Sequence, residues 1–202
     1  MRARRSVRLV LACCATAVTG CPAVATRQTA ETVPSGDWQV GAGLDGVVFR
    51  DVEQDTRIPS VMVDLGVRHG VAKDVDVGAR LYTFGFEAGG KWVVVRDSWR
   101  VALAPSVNLV RTKETDVTTE ALHVFGHMPL ILGHDLSSRV SVNLGPRMTY
   151  GYYFPSTGGD AHGWFVGGFG NVAWKMSERW SLLPEAGVHR SVAGEVPIRG
   201  WV

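Results

Sequence analysis

Residues 139–154, RVSVNLGPRMTYGYYF, decide the fold predicted for this chain. Even positions from Val140 to Phe154 are apolar or aromatic, while odd positions from Arg139 to Gly151 are polar, charged or small. Only a β-strand places successive side chains on opposite faces in this way. The run is longer than the usual globular strand of about 5–6 residues. An apolar face opposite a polar one over such a length is typical of a strand between lipid and a barrel lumen.

The same alternation recurs along most of the chain. It predicts further strands over 38–48, 61–70, 75–82, 86–95, 99–109, 122–132, 164–176, 180–191 and 198–202. Short turns alternate with longer polar stretches, such as 50–59 and 111–119, as in outer-membrane barrels. Proline within a strand weakens the ladder, because it has no N–H; such prolines stand at 105, 129, 146 and 184. We predict an all-β chain forming an antiparallel up-and-down (meander) β-barrel of 8–10 strands, transmembrane, over residues 38–202.

A hairpin and a late strand resemble those of known proteins. Residues 63–81, VDLGVRHGVAKDVDVGARL, resemble a hairpin common in bacterial outer-membrane β-barrel proteins, and residues 184–188, PEAGV, resemble their late strand. The resemblance implies an architecture and a location in the outer membrane. It implies no activity.

The first residues have the pattern of an export signal. Four arginines within residues 2–8 precede an apolar core over 9–18, which is too short to span a bilayer as a helix. We predict a signal peptide over residues 1–20. Residues 21–37, which contain Pro34, Ser35 and Gly36 and have no periodicity, are predicted to be a flexible linker.

Two cleavage sites compete at the end of this signal. Residues 18–21, VTGC, resemble the lipobox of bacterial lipoproteins, which implies a lipidated N-terminal Cys21. We take this as the leading interpretation. The alternative is ordinary cleavage after Ala25, because residues 23–25, AVA, also supply the small residues that the general signal peptidase needs.

Cysteine usage and charge exclude several classes of function. Cys13 and Cys14 lie in the signal, so the mature chain has no internal disulfide, and no Cys/His metal pattern occurs. The net charge of +2 is spread between acidic and basic residues, unlike a nucleic-acid-binding patch. We predict no cofactor and no nucleic-acid partner. The expected partners are membrane lipids and the lipoprotein-processing and outer-membrane assembly machinery.

The polar faces of the strands would direct charged groups into the lumen. This predicted network consists of Asp45, Asp64, Arg68, Asp76, Arg80, Glu87, Lys91, His123, His127, Arg147, Glu185 and His189. Isolated buried ions are costly, so we interpret the balanced charges as ion pairs that fill a narrow barrel. A polar pore or ligand site is the functional alternative.

The histidines permit one further hypothesis. His123 and His127 lie roughly 13 Å apart along a strand at about 3.3 Å per residue, so they cannot share one metal ion. An acid–base or metal site would require them to meet His189 and Glu185 from another strand. No serine stands in a recognisable motif with these histidines. We therefore predict no enzyme.

The leading function is that of an outer-membrane β-barrel protein with a structural, adhesive or small-solute role. The alternative is a lipid-anchored periplasmic β-barrel or sandwich that binds an apolar ligand inside. An outer-membrane enzyme ranks third. The first two differ in polarity, since a soluble ligand-binding barrel has an apolar interior and a polar exterior.

Overall fold

The computed structural model describes residues 26–51, 56–113, 120–155, 160–194 and 200–201. These residues form a single antiparallel β-sheet, which confirms the all-β and antiparallel predictions. The described residues include no helix long and apolar enough to cross a membrane.

Twelve strand segments build the sheet. They are β1 (Trp38–Asp51), β2 (Thr56–Ala72), β3 (Val75–Tyr82), β4 (Gly85–Arg96), β5 (Trp99–Leu103), β6 (Ser106–Lys113), β7 (Glu120–Asp135), β8 (Val140–Pro155), β9 (Ala161–Lys175), β10 (Ser181–Leu182), β11 (Glu185–Gly194) and β12 (Gly200–Trp201). Each strand pairs with its neighbours in the chain, apart from the proline breaks described next. The short β12 pairs with β11 on one side and, at Phe49 opposite Trp201, with β1 on the other.

Two prolines divide what would otherwise be continuous strands. β5 and β6 pair with β7 in one unbroken register on either side of Pro105. Their register with β4 also continues across Pro105 and shifts only at a β-bulge between Val93 and Val95. β10 and β11 pair with β9 in one register on either side of Pro184. The twelve segments therefore follow ten strand paths. Because proline still offers a carbonyl, the sheet bonds at both breaks persist: Gly90 N donates to Pro105 O at 3.0 Å and Val172 N to Pro184 O at 3.1 Å.

The other two prolines lie inside strands. Pro129 in β7 pairs opposite Arg147 in β8, and the next paired residues are Leu132 and Leu144. The ladder thus skips the step that contains Pro146, and pairing resumes in the same register. The strands survive because their neighbours on both sides hold them.

The two faces of the sheet have opposite polarity. We call the face with buried side chains the inner face and the other the outer face. The buried polar side chains of the strands on the inner face are Asp45, Asp64, Asp76, Arg80, Glu87, Lys91, Ser106, Asn108, His123, His127, Asn143, Arg147, Thr149, Asn171 and His189. The outer face exposes large apolar side chains, including Val40, Leu44, Val63, Leu65, Leu81, Trp92, Val107, Met128, Leu144, Met148, Val166, Val172 and Val188. This reverses the usual distribution of a soluble protein.

Most of the short connections lie at one end of the sheet, although the two-residue connection 83–84 between β3 and β4 lies at the other. Residues 73–74, 97–98, 136–139 and 176–180 join strands at the end where β1 begins, which we call the short-turn end. At the opposite end the strands run further than the sequence predicts. The β1–β2 ladder reaches Asp51 opposite Thr56, inside the predicted loop 50–59. The sequence becomes charged at this end of the strands, but the pairing of β1 with β2 continues beyond that point.

Residues 26–37 differ from the predicted flexible linker. Thr26, Gln28, Ala30 and Val33 are buried against the inner face, and Ala30 packs in an apolar cluster with Val93, Ala102, Ala104, Ile131 and Phe169. The backbone of the segment pairs with that of the sheet at a bridge from Ser35 to Gly70. Seven further backbone groups of the segment bind side chains of the strands, which satisfies those groups without any strand periodicity. The lipobox and residues 21–25 of the predicted linker lie outside the described residues.

Candidate functional site

Asp76 is the centre of the contacts between the sheet and the N-terminal segment (residues 26–37). It stands on the inner face of β3 and is 0% exposed. Its Oδ1 accepts hydrogen bonds from the guanidinium of Arg68, at 2.8 Å from Nε. Its Oδ2 accepts from the backbone N–H of Val33 at 2.9 Å and lies 3.4 Å from Lys91 Nζ. Strand register explains the convergence, because Asp76 lies directly opposite Lys91 on β4 and two positions from the residue opposite Arg68 on β2.

Lys91 extends this centre along the segment. Its ammonium group donates to the carbonyl oxygens of Thr29, at 3.2 Å, and Glu31. The side chain is 3% exposed, so these bonds replace water that the cation has lost. One buried cation therefore connects the Asp76 carboxylate to two carbonyl groups of the segment's backbone.

A row of polar side chains crosses three neighbouring strands beneath the segment. Asn143, Asn171 and Glu185 lie opposite one another on β8, β9 and β11. Asn143 Nδ2 donates to Asn171 Oδ1 at 3.0 Å, and Asn171 Nδ2 donates to Glu185 Oε2 at 3.1 Å. Each of them also holds the segment's backbone. Asn143 Oδ1 accepts from Ala30 N at 2.9 Å, and Asn171 Nδ2 donates to Gln28 O at 3.0 Å.

Glu185 binds the deepest described residues of the segment. Its Oε1 lies 2.5 Å from Thr26 N and its Oε2 lies 2.9 Å from Arg27 N. The guanidinium of Arg27 turns the other way, with Nη2 at 2.5 Å from Asp45 Oδ1 and 3.1 Å from Asp64 Oδ2. Charged groups from β1, β2 and β11 thus meet at one end of the segment.

At the short-turn end the segment leaves the inner face beside a glycine. Gly36 N donates to Gly70 O at 2.8 Å and Gly70 N donates to Asp37 O at 3.1 Å. A Cβ on Gly70 would lie 2.0 Å from Pro34 O, so only glycine permits this approach. β1 then begins at Trp38, which stacks on His69 with ring centroids 4.2 Å apart.

A second polar group lies beyond the segment. Arg80 and Glu87 form a buried ion pair, and His127 Nδ1 bonds to Thr149 Oγ1 at 2.8 Å. His123, Phe125 and His127 stack along β7, with centroids 5.9 and 6.1 Å apart. Charged, polar and aromatic side chains therefore lie together on this part of the inner face.

The structure places the predicted network as follows. Asp45, Asp64, Asp76, Arg80, Glu87, Lys91, His123, His127, Arg147 and His189 are buried on the inner face, and Arg68 and Glu185 are half-buried there. Asp64, Asp76, Lys91 and Glu185 contact the N-terminal segment, and Arg68 binds Asp76. Cys21, the predicted lipid carrier, lies outside the described residues.

The histidines do not assemble a metal site. Within the described residues, no group of three or more His, Cys, Asp or Glu side chains could hold a metal ion. The Glu185 carboxylate, which an acid–base site would require, is engaged by Thr26, Arg27 and Asn171.

Three polar residues of the site were missed in the predicted network. Asn143 and Asn171 stand at inward positions of their strands, so the alternation was a sufficient signal to include them. Arg27 carried no signal, because it lies in a segment without periodicity.

Comparison with known proteins found no family model, curated protein or solved structure that matches the chain.

Two leucine substitutions test whether Asn143 stabilises the protein by binding the N-terminal segment or merely by being buried. Asn143→Leu removes the bonds to Ala30 N and Asn171, and leaves a buried N–H without its partner; we expect it to cost about 1–3 kcal/mol. Asn108 is equally buried on β6, but neither its Oδ1 nor its Nδ2 has a hydrogen-bond partner among the residues that the structure describes. Asn108→Leu should therefore be neutral or stabilising. Urea unfolding of the two variants in detergent measures the difference, and equal destabilisation would contradict the assigned role of Asn143.

Proposed function

We propose that the chain is a bacterial outer-membrane β-barrel protein whose lumen is sealed by its own N-terminal segment, and that its role is structural or adhesive. The observation that carries the proposal is the reversed polarity of the sheet. Exposed apolar side chains form a continuous outer surface, while the buried face holds ion pairs and amides. Water gives no stability to such a surface, whereas the hydrocarbon of a bilayer accommodates it.

The pairing of the terminal strands supports closure of the sheet into a barrel. β12 contacts both β11 and β1, so that each strand path has two neighbours. Ten paths agree with the even strand number of bacterial outer-membrane barrels, and closure leaves no unpaired edge in the membrane. The resemblance of residues 63–81 to hairpins of such proteins points the same way.

Aromatic side chains at both ends of the strands support a transmembrane orientation. Trp38, Trp99, Trp174 and Trp180 are exposed at the short-turn end. Phe84, Phe154 and Trp164 are exposed at the opposite end. Aromatic girdles of this kind mark the two interfaces of barrels, whose periplasmic turns are the short ones. We therefore assign the short-turn end to the periplasm.

The sealed lumen favours a structural or adhesive role over passage of solutes. The N-terminal segment occupies the periplasmic half, and ion pairs and stacked rings fill the space beyond it. The functional surfaces of the protein would then be its lipid-facing outer face and the connections at the end opposite the short turns. The alternative, an apolar ligand inside a soluble barrel, requires an apolar interior and conflicts with the charges on the inner face.

Membrane fractionation with electrophoresis tests this proposal. We expect the protein in the outer-membrane fraction, with a mobility in SDS that changes on boiling, since intact barrels migrate as compact forms. Cys21→Ala should leave both results unchanged, because the barrel holds itself in the membrane. Release of Cys21→Ala into the soluble periplasm, without a change of mobility on boiling, would contradict the proposal.

Conductance of the same purified protein tests the seal. We expect no ion current above the empty bilayer when the wild-type protein is reconstituted into a planar membrane. Stable, stepwise currents from the wild type would show an open lumen. Such currents would contradict the sealed lumen and would favour a role in the passage of small solutes.

A further inference from the structure

We infer that the mature chain begins at Thr26, after cleavage behind Ala25, and that the Glu185 carboxylate holds the new α-ammonium group inside the barrel. The inference rests on the proposed export to the outer membrane. It concerns which of the two cleavage sites is used, and it gives Glu185 a ligand that its place on a strand does not by itself explain.

The contacts of Glu185 are those of a site for an amino terminus. Its two oxygens are taken by two consecutive nitrogens, Thr26 N at 2.5 Å and Arg27 N at 2.9 Å. Asn171 Nδ2 adds a third donor at 3.1 Å. Thr26 is 4% exposed, so its nitrogen meets the carboxylate away from water. An ammonium group at this nitrogen would pair with the carboxylate, and charge-assisted bonds of this kind are about twice as strong as neutral ones.

The course of the segment points to the same residue. The segment starts at the short-turn end, where Asp37 contacts Gly70. Followed toward its N-terminus, it contacts Asp76 and then Asn143. At Arg27 it contacts Glu185 and Asp45. Glu185 lies four positions beyond Ser181, roughly 13 Å along the strand path from that end at about 3.3 Å per residue. Thr26 is thus the innermost point of the segment that the structure describes.

A lipid on Cys21 fits this arrangement poorly. Thr26 lies five positions after Cys21, and this length of chain can span at most about 18 Å. The acyl chains of Cys21 belong in the periplasmic leaflet. To reach it, residues 21–25 would have to reverse inside the lumen and run back beside residues 26–37, against a face lined with charged groups. Cleavage after Ala25 removes this conflict.

The cleavage itself is an ordinary hydrolysis that a signal peptidase of the exporting cell carries out with water. The bond between the Ala25 carbonyl carbon and the Thr26 nitrogen breaks. The carbonyl carbon takes the oxygen of water and leaves as the carboxylate of the released peptide. The nitrogen takes the protons and becomes the α-ammonium group. Residues 23–25, AVA, supply the small side chains required before the cut.

Intact mass and N-terminal sequencing of the protein from outer membranes test the cleavage site. We expect a single chain beginning at Thr26 with an unmodified amine. A chain beginning at an acylated Cys21, or at any other residue, overturns the inference while leaving the proposed barrel standing. An uncleaved chain that begins at Met1 and stays in the cytoplasm would overturn both this inference and the proposed barrel.

Reductive methylation of the folded wild-type protein tests the capture of the amine. An α-amino group is intrinsically more reactive than a lysine at neutral pH, because less of it is protonated. Held by Glu185, the Thr26 amine should instead react at least tenfold more slowly than exposed Lys73. Equal or faster labelling of Thr26 overturns the inference. Glu185→Gln should raise the labelling of Thr26 severalfold, whereas Glu178→Gln in the exposed turn 176–180 should leave it unchanged.

Discussion

Asp76→Ala is expected to destabilise the protein by about 3–5 kcal/mol, the cost of leaving buried charges without their partner. The carboxylate is 0% exposed and lies between Arg68 and Lys91. Its removal leaves two cations on the inner face and takes the acceptor away from Val33 N. Lys91 is the more affected cation, since it is 3% exposed and cannot turn to solvent. The same change should loosen residues 29–33, which Asp76 and Lys91 hold together.

Urea unfolding in detergent, followed by tryptophan fluorescence, measures this loss. Asp97→Ala is the matched control, because Asp97 stands in the exposed turn 97–98. It should change the unfolding free energy by less than about 1 kcal/mol, as surface substitutions usually do. The double variant Asp76→Ala, Lys91→Met should recover part of the loss, because it removes one unpaired charge. If Asp76→Ala proves no worse than Asp97→Ala, the charge centre does not hold the fold.

The period-2 pattern predicted the faces of the sheet because strand alternation is a local property. Asp64, Asp76, Lys91 and His127 all fall on the inner face for the same reason: each sits one position from an exposed apolar residue. The strand ends were less predictable. Charged residues near Asp51 and Thr56 suggested a loop, yet pairing continues to that point. The charged residues mark the point where the apolar outer surface ends, whereas the hydrogen-bonded ladder of β1 and β2 continues beyond that point.

The N-terminal segment could not be predicted, because nothing in its own sequence carries the information. Val33 N finds its acceptor 43 positions away, Ala30 N 113 positions away and Thr26 N 159 positions away. A polar stretch with Pro34, Ser35 and Gly36 has the composition of a linker. Its fixed course comes from the spacing of donors and acceptors on seven strands, most of them distant in the chain. The same limit applies to Glu185, whose place on a strand was evident and whose partners were not.

The apolar outer face leads to the second large effect, at Leu65. This residue lies on β2, four positions from His69, which pairs with Trp38 at the short-turn end. It stands roughly 13 Å along the strand from that aromatic level at about 3.3 Å per residue, near the middle of an apolar band that is about 25 Å tall in such barrels. Leu65→Arg is therefore expected to cost about 2–4 kcal/mol in the membrane. The folded, heat-modifiable form in the outer membrane should fall accordingly.

Leu136→Arg gives this experiment its discriminating control. Leu136 is 63% exposed and Leu65 is 62% exposed, so in water the two substitutions should have equally small effects, within about 0.5 kcal/mol. They differ in position, because Leu136 lies in the turn 136–139 at the short-turn end. In a bilayer that turn reaches the aqueous side, where an arginine has little cost. A deficit in folded protein for Leu65→Arg alone would therefore measure contact of the outer face with lipid. Equal tolerance of both variants would place the same apolar surface in another environment, against a partner or in water, and would remove the main support for a transmembrane barrel.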